Sequence, residues 1–461
     1  MRALSLIILF ALACDPTPVA IDDTGGESDV DTDTDTDTDA DTDTDTDADT
    51  DTDTDTDTDT DIEGPCPVYV DGAADEGGDG SVEAPVRTIG GGIDVLVGGC
   101  DQVLVAAGTY AELVDFGEKE LVLESQAGAT ETIIEAPEAG SVVTIAGAQG
   151  PDTVLRGFTL RGGQGTLGNG DSLDEDLRHG GGLYVQDASP GIHDNVIEGN
   201  TTTGRGGGVV LLGYDGSFTG NTVRDNTVTQ RSSYSGAGLY LYECTGTLQG
   251  NTITGNRAEA DGGVGGGIMV SYGAPLIVGN RIEGNYAESS AGGVRTLDSA
   301  TVLAANLIAG NEPDGVVISY DDAGAIVGNT VVGNTRDGIQ SKCSPEYYDG
   351  DTGPTTEIVN NVVADNGRRG FYVSGLQSIE VFRHNLLWGN EDADYEGYDD
   401  ATGADGNLSA DALLDADGRP ASGSPLIDSG VDASAYGVSA DLEGTERPLG
   451  DAWDIGAYEV E

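Results

Sequence analysis

The chain has 461 residues, 73 of them glycine, and carries 83 acidic side chains against 19 lysines and arginines, a formal net charge of −64 at pH 7. A field of that sign excludes nucleic acid and anionic lipid surfaces as charge-held partners, and it repels polyanionic polymers unless a cation such as calcium bridges them. The bias is not confined to one end: without the 21 acidic residues before Glu63, and without Arg2, 62 acidic side chains still face 18 basic ones, a net near −44 that salty surroundings would screen.

The chain opens with an apolar run, Ala3 to Ala13, that ends at Cys14. Such a run is too short to span a bilayer as a helix and suits the core of a signal peptide. Ala11-Leu12-Ala13-Cys14 resembles a bacterial lipoprotein processing box, which implies a signal peptide over residues 1–14, lipid on Cys14, and an exported protein anchored in the cell envelope. Ala11 stands where that box has Leu, so plain secretion after a nearby cleavage is the alternative. Asp15 resembles an inner-membrane retention signal of some bacteria, a rule that differs between lineages.

Residues 15–64 form a linker. From Asp31 to Asp61 it alternates Asp and Thr, broken only by Ala40 and Ala48. With no apolar surface to bury and strong self-repulsion, the tract is expected to stay disordered and extended as a spacer. Asp-x-Asp also recurs in calcium loops, but those need a glycine at the tight turn and a distal carboxylate, both missing here. Diffuse cation attraction is the favoured reading, and calcium is the only cofactor worth naming.

Residues 65–110 read as an N-terminal cap with the first strands. Ile89, Ile93, Leu96 and Val97 share one helical face. Gly90, Gly91 and Gly92 weaken that helix by roughly 1 kcal/mol each, so it is expected only as a lid over an apolar end. Setting Cys14 aside leaves four cysteines, an even number suited to an oxidising compartment. Cys66 and Cys100 bracket the lid and are the favoured pair; Cys244 and Cys343 lie far apart and are expected as free thiols or as a loop-borne bridge.

From Asn195 to Asn390 one pattern, Asn, any, Ile/Val/Leu, any, any, Asn, occurs eight times, beginning at Asn195, Asn221, Asn251, Asn280, Asn306, Asn329, Asn361 and Asn385. Glycine-led strands precede most copies, as in Gly182-Leu183-Tyr184-Val185 and Gly238-Leu239-Tyr240-Leu241. A repeat of this length with period-two strands and no helical period predicts a β-solenoid. Stacked coils lie about 4.8 Å apart, so an Asn at the same turn of each can pass amide hydrogen bonds along the axis. The pattern resembles the right-handed parallel β-helix of the pectin-lyase-like superfamily over most of the chain after residue 66. That resemblance implies an all-β, single-stranded solenoid with its coils at residues 111–398. The segment Val68-Tyr69-Val70-Asp71, followed by Val103-Leu104-Val105 and Gly108-Thr109-Tyr110, is similar to the opening of such helices. Leu155 to Gly163 aligns with Ile277 to Asn285, with Phe158 in the first ladder place.

In each glycine-led strand the second and fourth residues point outward. This sets Tyr184, Gln186, Tyr240, Tyr242, Met269, Arg295, Lys342 and Tyr372 on one outer face. Tyr184, Gln186, Tyr240, Tyr242, Arg295 and Tyr372 are the candidate ligand-binding residues there, since flat rings among amides and a few cations suit an extended sugar chain. Two insertions flank the strands. Residues 164–179 hold Asp171, Asp174, Glu175, Asp176, Arg178 and His179; residues 342–356 hold Cys343, Tyr347, Tyr348, Asp349 and Asp351. Loops on a rigid stack often carry sites, but both read first as solvated loops.

No catalytic set is assembled. Of the motifs of a polygalacturonase-like enzyme, Asn-Thr-Asp, a paired-Asp strand, Ser/Gly-His-Gly and Arg-Ile-Lys, none is assembled: His179-Gly180 follows Arg178 without matching partners, and Asp321-Asp322 sits in a turn-like context. The nearest approach to a pectate-lyase-like site is Arg295 with Asp298 and Asp321, and His179 is the remaining acid-base candidate. His193 and His384 fall just before ladder asparagines and read as turn residues. The tail, with Gly423-Ser424-Pro425-Leu426-Ile427-Asp428-Ser429-Gly430, Asp441 to Pro448 and Asp454-Ile455-Gly456-Ala457-Tyr458-Glu459, resembles the choice-of-anchor Q domain of bacterial surface and secreted proteins. It implies that residues 399–461 close the last coil. The functional expectation is a non-catalytic surface lipoprotein that binds polysaccharide or another surface protein; the alternative is a polysaccharide lyase or glycoside hydrolase with an atypical site.

Overall fold

The unit Asn221-Thr222-Val223-Arg224-Asp225-Asn226 shows how the repeat builds a coil. Thr222–Arg224 is a strand with Val223 fully buried. Asp225 then turns the chain in the left-handed region at φ 56°, and Asn226 begins the next side. Gly220, Gly250, Gly255 and Gly279, each just before a ladder asparagine, share this conformation at φ 63° to 66°. Only glycine, and to a lesser degree Asp or Asn, adopts it cheaply, which is why Gly-Asn and Asp-Asn recur along the sequence.

The computed structural model describes residues 64–461 except 171, 231–233, 260, 320–322, 343–354 and 376–377. The signal segment, Cys14 and the Asp-Thr tract lie outside the described residues, as do Asp171, Asp321, Cys343, Tyr347, Tyr348, Asp349 and Asp351. Among the described residues the strands stack into three long parallel sheets of 11, 12 and 11 strands. Sheet I runs from Val114–Asp115 to Ala393–Glu396 and contains the glycine-led strands; sheet II runs from Val68–Val70 to Ser378–Arg383; sheet III runs from Gly108–Tyr110 to Leu386–Trp388. The register never slips through the central coils: Leu183 pairs with Val209, Val209 with Leu239, Leu239 with Ile268 and Ile268 with Val294. The interior is therefore a set of aliphatic columns, all fully buried, such as Ile192, Phe218, Leu248 and Ile277 from sheet II against Ile197, Val223, Ile253 and Ile282 from sheet III. Each such side chain contributes roughly 1.5–3 kcal/mol of transfer free energy.

The asparagines form two files. In the first, the backbone N–H and Nδ2 of Asn221 both donate to Oδ1 of Asn251, at 2.8 and 3.2 Å, and those of Asn251 donate to Asn280 at 2.9 Å each. The second Nδ2 hydrogen goes to a core carbonyl of the preceding coil, as from Asn251 to Phe218 at 2.9 Å. Every donor and acceptor of the carboxamide is thus used, a pattern neither Asp nor Ser can supply. The file runs one coil further than the repeat suggests, from Asn385 to Asn407. At its start Phe158, in the ladder place, donates its N–H to Oδ1 of Asn195. A parallel file joins Asn200, Asn226, Asn256, Asn285, Asn311, Asn334, Asn366 and Asn390.

At the amino end the helix Ile89–Asp94 buries Ile89 and Ile93. The Thr88 side chain caps Gly91 N–H, and the Glu112 carboxylate accepts from Ile89 and Gly90 N–H. The helix is shorter than its apolar face predicts: it ends before Leu96 and Val97, where Gly98-Gly99 follow. Cys66 and Cys100 form a disulfide with Cα atoms 5.4 Å apart. Cys244 is a free, buried thiol, and burial pushes it up to about 12.

At the carboxyl end the first residues of the 399–461 segment lie on the last coil: Leu408 pairs with Leu386, Asn407 Oδ1 accepts from Asn385 N–H, and Ala401 packs against the core. An aromatic plug of Phe371, Phe382, Tyr395 and Tyr398, with ring centroids 5.1 to 6.0 Å apart, fills that end first. The rest of the tail runs back along the flank: Ala433, Val438 and Trp453 pack on Ala304, Ala325, Val327 and Val359, and Leu426 and Ile455 on Val362, Ala364 and Leu386. The reason is that these late strands are apolar on both faces and need a cover. The three tail motifs meet at buried Arg447, which bonds Glu459 at 3.1 Å and the carbonyls of Asp454 and Gly456; Asp441 and Asp454 fix the surrounding backbone N–H groups.

Candidate functional site

The outward residues of sheet I form two adjacent columns. One places Tyr184, Val210, Tyr240, Met269, Arg295, Val317, Gln340 and Tyr372 on successive rungs; the other places Gln186, Leu212, Tyr242, Ser271, Leu297, Ser319 and Lys342. The period-two reading of the strands therefore sets the right residues on this face. It does not foresee what covers them.

The insertion after Gly163 folds over the first column. Its ends pair as an antiparallel hairpin, Thr166–Leu167 with Arg178–His179, and Leu173 packs on Tyr184, Val210, Tyr240 and Met269. Tyr184 and Tyr240 are consequently only 3% and 1% exposed and offer no ring to a ligand, which removes two of the six expected binding residues. Arg205 pins the insertion, donating to Ser172 O at 2.8 Å and Tyr240 Oη at 2.7 Å, with its guanidinium 4.9 Å from the Tyr240 ring centroid.

His179 belongs to this clamp and not to a catalytic group. Its Nδ1 accepts from Arg205 N–H at 2.9 Å, so Nε2 carries the proton and donates to Asp174 O at 3.0 Å. Burial lowers its pKa, and the ring is neutral with both nitrogens engaged. The neighbouring side chains Asp174, Glu175 and Asp176 are exposed to solvent.

Beside the insertion an open cleft remains, lined by Asn169, Gln186, Asp187, Leu212, Tyr242 and Glu243. Buried Tyr184 positions its amide: the hydroxyl donates to Gln186 Oε1 at 2.8 Å, and Gln186 Nε2 donates to Asp187 at 3.2 Å. Burial, with Asp187 adding to it, pushes the Tyr184 phenol up to about 12. At the far edge Tyr272, 47% exposed, meets Tyr242 edge-to-face with centroids 5.6 Å apart. Tyr272 escapes the strand pattern because it sits in the turn after Ile268–Ser271. Asp187, Gly213, Glu243 and Asp298 hold the same left-handed turn position in other coils, and Tyr272 adopts it at φ 51°. Outside glycine this conformation costs about 1–2 kcal/mol, and a bulky aromatic there is unusual.

Further along, sheet I carries a charged network. Arg336 holds Asp314 through two bonds of 2.7 and 2.6 Å; Arg369 holds Asp337 through two of 2.8 and 2.7 Å and also reaches Glu396 at 2.8 Å. The Arg369 guanidinium lies 3.3 Å from the Tyr372 ring centroid and occupies one face of that candidate platform. Arg295 is half-buried on its rung, and Asp298 stands in the turn that ends its strand. Asp321, the third member of that candidate set, lies outside the described residues.

Similar in structure are pectate lyase Pel9A, with 14% identity over 86% of this chain and 96% of that one and a TM-score of 0.39, and XylC in complex with xylose, with 11% identity over 70% and 76% and a TM-score of 0.42. The A-module of the Azotobacter vinelandii mannuronan C-5 epimerase AlgE6 shares 16% identity over 70% of this chain and 94% of that one, with a TM-score of 0.32. No curated protein matches the chain. The family described as "Right handed beta helix region" matches residues 168–302 and 237–408, together more than half of the sequence. The chain therefore belongs to the right-handed β-helix family.

Proposed function

We propose that this chain is an exported, non-catalytic glycan-binding protein, tethered through lipid on Cys14 and held away from the membrane by the acidic linker, with the cleft at Gln186, Tyr242 and Tyr272 as its binding surface. The observation that carries the reading is Tyr272, a large aromatic ring kept half in solvent on a left-handed backbone, against a second tyrosine. Strain of this kind persists where surrounding structure enforces it and is a pointer to function. Two rings at an angle suit the apolar faces of a sugar chain, while the Gln186 amide and the Asp187 and Glu243 carboxylates accept hydrogen bonds from hydroxyls. The same two carboxylates disfavour anionic sugars at this cleft, so neutral glycans are the expected class.

The test is calorimetric titration of the full chain with cello-, xylo- and manno-oligosaccharides, with product analysis of the same mixtures. Retention of at least one neutral series, weakened about tenfold in Tyr272→Ala and in Tyr242→Ala, supports the reading; a tenfold loss corresponds to about 1.4 kcal/mol. Failure to bind any series removes it. New reducing ends or unsaturated products would replace it with the enzymatic alternative. For the tether, Cys14→Ser should release the protein from the membrane fraction.

A further inference from the structure

The cleft beside the insertion runs along the stack. Gln186-Asp187, Leu212-Gly213 and Tyr242-Glu243 are three consecutive rungs, and all three line it. Their turn residues stand in file: Asp187 N–H donates to Leu212 O at 2.9 Å, Gly213 N–H to Tyr242 O at 2.9 Å, and Glu243 N–H to Ser271 O at 3.0 Å. Tyr272 follows one rung further, its N–H on Leu297 O at 3.1 Å, and all four turn residues are exposed. Asn169 and Ser172 of the insertion line the same cleft, and the insertion covers the neighbouring column of Tyr184 and Tyr240. A polymer in the cleft is thus walled off from the middle of sheet I and has its free direction along the stack.

The file has a two-rung period. Asp187 and Glu243 stand two rungs apart, roughly 9.6 Å, and the residue between them is glycine. Asp187, Glu243 and Tyr272 hold this turn at φ 51° to 54° with side chains attached, so the backbone does not by itself demand Gly213. In a β-1,4-linked chain of pyranoses both bonds to each ring are equatorial, and the chain is an extended ribbon in which each sugar is turned over relative to the last. Every second sugar presents the same edge, at a repeat close to two rungs. The sugars over Asp187 and Glu243 then offer like hydroxyls to like acceptors, and the inverted sugar between them brings its other edge to the space that Gly213 leaves. An α-1,4-linked chain coils and a β-1,3-linked chain bends, so neither keeps step with a straight row. We propose that the cleft selects a β-1,4-linked neutral chain, laid along the stack at one sugar per rung from Asp187 across Gly213 and Glu243 to Tyr272. This assignment rests on the reading that the cleft binds neutral glycans, and it adds the linkage and the direction.

The experiment is calorimetry on the full chain with cello-, xylo- and mannohexaose, all β-1,4-linked, and with malto- and laminarihexaose. The best-bound β-1,4 chain should exceed both of the others in affinity by about tenfold or more. Gly213→Asn introduces a residue that tolerates the left-handed turn and sets a side chain in the row; it should weaken that chain by about fivefold at an unchanged melting temperature. Asp187→Asn and Glu243→Gln keep the shape of the row, should each weaken the chain by about threefold, and decide the matter if Gly213→Asn does not fold. Maltohexaose or laminarihexaose bound as tightly as the best β-1,4 chain would overturn the linkage and leave the cleft a glycan site. A folded Gly213→Asn of parental affinity, or both carboxamide variants of parental affinity, would overturn the path across the rungs. Binding of none of the five would remove this assignment together with the reading on which it rests.

Discussion

Asn251 takes part in four hydrogen bonds through one carboxamide, accepting twice from Asn221 and donating to Asn280 and to Phe218 O. Truncation to Ala strips the buried Asn221 backbone N–H and Nδ2 of their acceptor and takes a donor from Phe218 O and Asn280 Oδ1, and should destabilise the protein by on the order of 3 kcal/mol in urea unfolding. Asn251→Asp should cost more at neutral pH, because it removes both donors and sets a buried charge against Asn280 Oδ1. Tyr272→Asn should separate stability from binding: Asn tolerates the left-handed turn, so unfolding free energy should stay within about 1 kcal/mol of the parent while oligosaccharide binding falls. His179 gives a pH dependence. Its pKa is lower folded than unfolded, so its contribution is complete above the unfolded value near 6.5 and is lost as pH falls below it. Protonating Nδ1 would place an N–H against Arg205 N–H. The protection factors against hydrogen exchange at the hairpin Thr166–Leu167 and Arg178–His179, with the intrinsic base-catalysed rate divided out, should fall between pH 7 and pH 5, and His179→Gln should show no such fall across that range.

At the scale of elements, the strands of sheet I were legible because glycine-led, period-two segments such as Leu183–Gln186 declare their inward and outward residues. The cover over Tyr184 and Tyr240 was not, since the insertion that supplies Leu173 has no periodicity to reveal where it folds. The tail gave a clearer signal than its motifs alone suggest. Ala325-Ile326-Val327 and Val362-Val363-Ala364 are apolar at every position, the mark of a strand buried on both faces, and this sign of a cover along the flank was not read from the sequence. Asn407 was missed, although it follows Gly406 as several ladder asparagines follow a glycine, because Ser409 and Ala412 stand where the repeat has its aliphatic residue and its closing Asn. Tyr272 was missed too, because a turn residue obeys no strand pattern. Arg447 ties the tail together from within. Arg447→Met leaves Glu459 buried without its cation and should cost about 3–5 kcal/mol. Limited proteolysis should then cleave the tail after Asn407 before the coils, since the asparagine files end at Asn390 and Asn407.

For the whole molecule, the stack converts a sequence repeat into a straight surface. Each rung advances by about 4.8 Å, and the turn position held by Asp187, Gly213, Glu243, Tyr272 and Asp298 recurs at that interval along one edge of sheet I. A saccharide lying along this edge meets several rungs in succession, so contacts accumulate with its length. The chain's acidity keeps such molecules apart and shapes which polymers approach. The decisive measurement is the affinity of the full chain for one neutral oligosaccharide series as a function of the number of sugar units. Affinity that climbs with each added unit up to a plateau, and a plateau that drops in Tyr272→Ala, is the predicted result. Affinity that is flat with length, or a series indifferent to the loss of Tyr272, would contradict it.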